Sequence, residues 1–445
     1  MKKRVLGILL TVVLVITLFV GCGNNNNNTP SNGDPSAPAD SKAPANSDTP
    51  AQDVELTMWT IATESDAFHQ PYLKAIADFE AAHPGVTIKM ETFENEAYKT
   101  KIKAAVAANE LPDVFFTWAG GFSESFVESG KVLSLDDYYA PYKDSISMAA
   151  LSNDVYDGKL YGSVTCTPVS VMWYNQAIFD ANGVKVPTNI AELKDACQKL
   201  KAAGITPIAS SAKDTWVLAM LHDGLTLKSA GADKVVKALK KQGQSYNDPD
   251  FLASATALKE LVDMGAFIDG ATGLSNDEAS ASFYAEQAAM YFTGSWMGGS
   301  IVTDAAPEAL ANFSVAPIPV INDANAALTD FMGGGSDTLM VAKSTKNADL
   351  AAAAAFEITK GVSKYAFLSG AGIPAWNVDY EANDVPALSK KVADYATGAT
   401  SFTLWFDTLM SADDAGEYLS LLQQLFTGDV TPEDFVKGMD AQLSK

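Results

Sequence analysis

Seven tryptophans, three histidines, 54 acidic residues and a single arginine, Arg4, set out what chemistry this chain of 445 residues can do. His69, His83 and His222 have no ligand-like spacing, so a zinc site would lack its usual donors, and no metal or other cofactor is expected. Neither a G-x-S-x-G elbow nor a P-loop occurs. Glycoside hydrolysis would need two carboxylates about 5–5.5 or 6.5–9.5 Å apart, and no motif selects such a pair. Residues 5–445 contain no guanidinium, the fork that commonly clamps carboxylates and phosphates. Lysines and helix N-termini can substitute for it, but the balance favours an uncharged ligand. Trp59 and Trp118 end strand-like runs and Trp296 follows another, and in open α/β sheets ligands lie beyond the carboxyl ends of strands. Cys166 and Cys197 form no C-x-x-C and are expected to be buried free thiols.

The elements that would position these residues begin after a leader. Lys2, Lys3 and Arg4 precede an apolar run, 5–20, that stops at Gly21-Cys22. About 16 residues at about 1.5 Å rise reach roughly 24 Å, short of the ~30 Å hydrocarbon core. Residues 1–21 therefore read as a signal peptide. Residues 22–53, rich in Asn, Pro, Ser, Ala, Asp and Gly, cannot bury enough apolar surface to fold and read as a tether. A formal charge of −23 repels phosphate backbones and argues against a nucleic-acid partner.

From Val54 onward short apolar strands alternate with amphipathic helices, which predicts an α/β fold with largely parallel sheets. Residues 54–59 read as a strand, and Pro71 opens a helix with Tyr72, Ile76 and Phe79 on one face. Val86, Ile88 and Met90 alternate as a second strand. Tyr98, Ile102 and Val106 mark the next helix, which Pro112 breaks before a third strand running to Trp118 and Gly120.

Several motifs follow in a fixed order: Leu111-Pro112-Asp113-Val114-Phe115-Phe116, Trp173-Tyr174-Asn175-Gln176-Ala177-Ile178-Phe179, Gly204-Ile205-Thr206-Pro207-Ile208, Met290-Tyr291-Phe292-Thr293-Gly294-Ser295-Trp296, Gly333-Gly334-Gly335 and Leu425-Phe426-Thr427-Gly428-Asp429. Together they resemble the extracellular solute-binding proteins of ABC importers, in the sugar-binding branch related to maltose-binding protein. One departure is Asn189, where that family often has Trp after Pro-Thr. Leu18-Phe19-Val20-Gly21-Cys22 likewise resembles the lipobox of bacterial lipoproteins, which makes Cys22 the expected lipidation site.

The resemblance implies two lobes, 54–165 plus 316–371 and 166–315 plus 372–445, with chain crossovers, a ligand cleft at the hinge and closure around the ligand. It implies capture of a neutral mono- or oligosaccharide and delivery to an ABC permease by a monomer that touches the membrane only through its lipid. A sugar ring has an apolar C–H face and a polar rim, so its site takes aromatic platforms with carboxylates and amides. The matching positions are Trp296, Trp405 with Asp407 beside it, Trp118 and Tyr174. Trp216, Glu64, Asp337, Gly120 and Gly334 lie in segments that would border the cleft, Gly334 where the backbone would meet a ligand or flex. Core packing is the competing reading for each aromatic residue, and a solvated surface for each acid. A non-sugar ligand such as a peptide, amino acid or metal, a secreted hydrolase and a scaffold lipoprotein are the alternatives.

Overall fold

The computed structural model describes residues 53–445; the leader, Cys22 and the tether up to residue 52 lie outside the described residues. The strand Val54–Thr60 turns Leu56, Met58 and Thr60 inward and pairs in parallel with Val86–Thr92 and Val114–Trp118. The helices making these crossovers, His69–Ala82 and Asn95–Ala108, bury Tyr72, Ile76 and Phe79 in one case and Tyr98, Ile102 and Val106 in the other. That is the spacing of a single helical face. Asn109, at φ 59°, ends the second helix in the left-handed region that Asn tolerates better than most residues.

This sheet is completed by distant chain, because Asp337–Val341 runs antiparallel between Val114–Trp118 and Gly162–Val164. A second sheet has the order Phe313–Ala316, Ser170–Asn175, Ala288–Gly294, Thr206–Ala209, with only the last pair parallel. Both sheets are thus mixed instead of largely parallel. A parallel neighbour needs a crossover connection within one lobe, and a strand arriving from the other lobe enters without one. Each sheet has its own core. Along Ser170–Asn175, Met172 and Tyr174 pack with Leu193, Cys197 and Leu200, while Val171 and Trp173 pack with Phe283 and Phe313 on the opposite face. Cys166 and Cys197 are buried free thiols.

The two lobes are joined by segments that hydrogen-bond to one another. Thr165 N donates to Asp337 O at 2.8 Å, Gly334 N to Pro168 O at 3.0 Å and Thr167 N to Ile373 O at 2.9 Å. Gly333 and Gly334 have φ of 141° and 123°, and a Cβ on Gly333 would overlap the Pro168 carbonyl. Only glycine fits where these segments pass so closely.

The return crossing lies at 333–336, not at the 315/316 boundary expected from sequence. Phe313–Ala316 pairs within the second sheet, and the segment that follows it is held by Lys228, 2% exposed. Its ammonium donates to the carbonyls of Ala327 at 2.7 Å, Leu328 at 3.1 Å and Asp330, tying the 327–330 segment to the second lobe. Burial lowers its pKa to about 8, although Asp330 pulls the other way.

Asp154 is fully buried in the first lobe, and among the described residues neither its carboxyl nor the Thr338 hydroxyl has a hydrogen-bond partner of good geometry. Both crowd Gly162, where a Cβ would overlap them. Burial raises the Asp154 pKa from 3.8 to about 8, partly offset by Thr338. A raised folded-state pKa means the unfolded chain ionises first, so this group costs stability as pH rises from about 4 through about 8. Asp154→Asn should therefore raise the thermal midpoint at about pH 8, with the gain shrinking toward about pH 4. Scans across that range test this, and an equal change at every pH would assign the effect to packing instead.

Candidate functional site

Three tryptophans from separate parts of the chain meet at one end of the second sheet. Trp296 follows Ala288–Gly294, all of whose residues are buried, and precedes the helix Met297–Asp304. Gly294 is required beneath it, since a Cβ there would run into the indole. Trp216 is the second residue of the helix Thr215–Ala230, and Trp405 precedes the short helix Phe406–Leu409. The Trp296 ring lies 6.2 Å from Trp216 and 6.1 Å from Trp405, inclined at 53° and 56°. Trp405 is 3% exposed, with its indole Nε1 donating to Ser170 Oγ at 2.6 Å. The accessible aromatic surface therefore belongs to the half-buried Trp216 and Trp296, with Trp405 behind them.

The first lobe contributes acids. Asp66, in the loop after Val54–Thr60, accepts from Phe68 N at 2.7 Å. Burial raises its pKa to about 6, helped by the charge of Asp277 and opposed by Phe68 N–H and His69. Asp337 is raised by burial, then by Asp66, to about 7, while the Ser336 hydroxyl at 3.5 Å opposes this. Tyr72 lies near both, and its buried hydroxyl has no partner among the described residues. Carboxyls in this state can accept or donate hydrogen bonds near neutral pH, and with an unpaired phenol they suit a ligand rich in hydroxyls.

The lobes approach one another beside these groups. Lys99, on Asn95–Ala108, reaches Asp407 at 3.7 Å and Glu96 at 2.9 Å, with its ammonium 5.4 Å from the Trp118 ring centre. Burial works against its charge, but Asp407 and Glu96 raise its pKa above the ordinary value. Ser65 Oγ donates to Asp277 Oδ2 at 3.4 Å. A Cβ on Gly299 would lie 3.0 Å from Ala67 and Ala371, and one on Gly121 would overlap the Leu409 and Met410 carbonyls.

The other sequence-derived candidates stand outside the tryptophan cluster, and Trp118 is paired across the first sheet with Asp337. Trp118 belongs to the first core, edge-on to Phe116 at 5.0 Å and Phe122 at 5.1 Å, with Lys99 over its face. Tyr174 is 6% exposed and packs on Phe179 at 5.0 Å. It pairs with Met290 while Ser170 pairs with Gly294, so four residues of strand, about 13 Å, separate it from the tryptophan end. Strand alternation turns its ring into the core. Glu64 is exposed on the same loop as Asp66. Gly120, at φ 92°, is held by Tyr156 Oη at 2.9 Å and faces Thr408 O, which makes it a point of lobe contact. Gly334 sits in the crossing segments. Two cavities, of about 530 and 380 Å³, lie around Glu357 and Tyr365 and around Pro317 and Tyr395, and no tryptophan lines either.

Sequence reasoning missed Asp66 and Tyr72. The signal was the position of Asp66 immediately before the helix bearing Tyr72, where loop polarity gives way to an apolar face. Among the described residues no group of His, Cys, Asp and Glu is arranged to hold a metal ion.

Comparison with known proteins fits this geometry. A solved structure from work on xylan utilization by the thermophilic bacterium Caldanaerobius polysaccharolyticus is 36% identical, with a TM-score of 0.83, covering 87% of this chain and 99% of that one. A chitin oligosaccharide binding protein is 26% identical with a TM-score of 0.80, covering 88% of this chain and 98% of its own. An ABC transporter extracellular-binding protein of Pyrococcus horikoshii is 25% identical over 310 residues, 67% of this chain, and the chain spans 65% of that relative's length. Residues 62–357 match the family described as bacterial extracellular solute-binding protein. This chain therefore belongs to the bacterial extracellular solute-binding proteins, which act outside the cytoplasm.

Proposed function

We propose that this protein binds a neutral oligosaccharide between its lobes and presents it to an ABC permease, without changing it chemically. The observation that carries this reading is the joined aromatic surface of Trp216 and Trp296, backed by Trp405. Flat apolar faces match the C–H face of a sugar ring, and Asp66, Asp337 and Tyr72 supply partners for its hydroxyls. A surface of several rings suits more than one sugar unit. The acids and the lack of arginine in residues 5–445 disfavour uronates and phosphates. The likeness to structures associated with xylan utilization and with chitin oligosaccharides makes xylo- and chito-oligosaccharides the first ligands to try. In this proposal Cys22 carries the lipid that holds a monomer at the outer face of the membrane, and the hinge converts occupancy into a closed shape.

A thermal-shift screen against xylo-, chito- and malto-oligosaccharides, uronates and amino acids tests the ligand class. A ligand at 100 times its Kd adds about 2.7 kcal/mol to the native state, so one neutral series should raise the midpoint by several degrees; a response confined to charged ligands would reverse the assignment. Chromatography should recover the bound sugar intact, and shortened products would reopen hydrolysis.

Trp296→Ala should weaken binding by about 1–3 kcal/mol with the fold retained, from lost aromatic contact area. Unchanged calorimetric affinity would move the site away from this cluster. Because carboxylates accept hydrogen bonds better once ionised, affinity should also rise with pH through the range of about 6 to about 7 set by Asp66 and Asp337. Replacing both by Asn should flatten that profile, and a profile that keeps its slope would exclude them from ligand contact.

A further inference from the structure

The helix Thr215–Ala230 is buried from Val217 onward, yet it carries the carboxyl of Asp223, 1% exposed, amid apolar neighbours. A buried carboxyl is costly, and an apolar residue of similar volume often serves stability as well. What Asp223 does instead is reach the aromatic cluster. Its Oδ2 accepts from the backbone N–H of Phe406 at 2.9 Å, the residue that follows Trp405. Its Oδ1 accepts from the Tyr418 hydroxyl. His222 Nδ1 lies 2.9 Å from Tyr418 Oη, so the imidazole joins the same buried polar group. His222 itself stays neutral, because burial lowers its pKa to about 3.

A second attachment returns to the same helix. The Trp405 indole donates to Ser170 Oγ at 2.6 Å, and that hydroxyl donates to Met220 Sδ at 3.4 Å. Trp216, Met220 and Asp223 stand at i, i+4 and i+7, along one helical face. One rigid helix thus carries the first tryptophan of the cluster and holds the backbone and the ring of the third, with Trp296 between them.

We propose that Asp223 is a positioning residue for ligand binding, fixing Trp405, and through it Trp296, at the spacing a sugar chain requires. The inference rests on the reading of the tryptophan cluster as a sugar site. Its test uses the full chain with Asp223→Ala, Asp223→Asn and Ser170→Ala. Two readouts are taken: calorimetric affinity for the oligosaccharide that stabilises the wild type, and the Trp405 indole N–H resonance without ligand, assigned through Trp405→Phe. Asp223→Ala and Ser170→Ala should each move the resonance and weaken binding about tenfold. Asp223→Asn keeps an oxygen for Phe406 N–H and should restore binding to within about threefold of wild type. A folded Asp223→Ala with an unmoved resonance, or a moved resonance with wild-type affinity, overturns the proposal, as does an Asn variant as weak as Ala. If Asp223→Ala does not fold, the Asn and Ser170 variants decide in the same terms. Should the wild type bind no sugar, the ligand reading fails, while the resonance still tells whether Asp223 holds Trp405.

Discussion

The constraint on which the molecule depends is backbone hydrogen bonding where the chain passes between its lobes. A polypeptide leaving one sheet for another exposes N–H and C=O groups that must find partners. Here residues 165–169, 333–337 and 371–375 solve that together, each segment supplying partners for its neighbour. The joint is consequently narrow, hydrogen-bonded and dependent on glycine at 333. Because Val169 and Ser170 leave it directly into the central strand of the second lobe, and Asp337 leaves it into the first, the joint also sets where Ser170 and Asp337 stand relative to the tryptophans.

The two lobes make different contributions. The second brings aromatic rings held by buried polar contacts, and the first brings carboxyls whose pKa values burial has raised. Neither set is sufficient for a ligand with one apolar face and a hydroxyl rim. Lys99 and Asp407 meet at the rim of the same region, joining the lobes by charge as well as by close backbone approach at Gly121. Both groups are largely buried, so this contact sets the cost of desolvating two charges against their mutual attraction.

Local patterns were legible in the sequence, and distant pairings were not. Tyr98, Ile102 and Val106 announced a helix face because their spacing is intrinsic to a helix, and with Ala105 they are its buried residues. The strand Asp337–Val341 ends in an apolar run, but nothing in its own residues tells that it lies between Val114–Trp118 and Gly162–Val164. The same limit applies to the late return crossing, because Phe313–Ala316 pairs with Ser170–Asn175 and Lys228 meets carbonyls about a hundred residues away. Trp216, Trp296 and Trp405 were each candidates for the cleft with core packing as the competing reading, and their contact is a tertiary fact. Tyr174 and Trp118 carry the same chemistry as those three, and only strand phase and neighbours turn them into cores. His222-Asp223 was an overlooked clue, a polar pair interrupting an otherwise apolar helix.

The position of Asp337–Val341 inside the first sheet has a consequence for biosynthesis. That strand separates Val114–Trp118 from Gly162–Val164, so the first sheet stays incomplete until residue 341 has been made, after most of the second lobe. Early chain emerging from the ribosome has its local helices and parallel strands but lacks the strand that joins Gly162–Val164 to them, and such long-range closure is slow. Translation order thus delays compact folding of the first lobe until its last strand has been made.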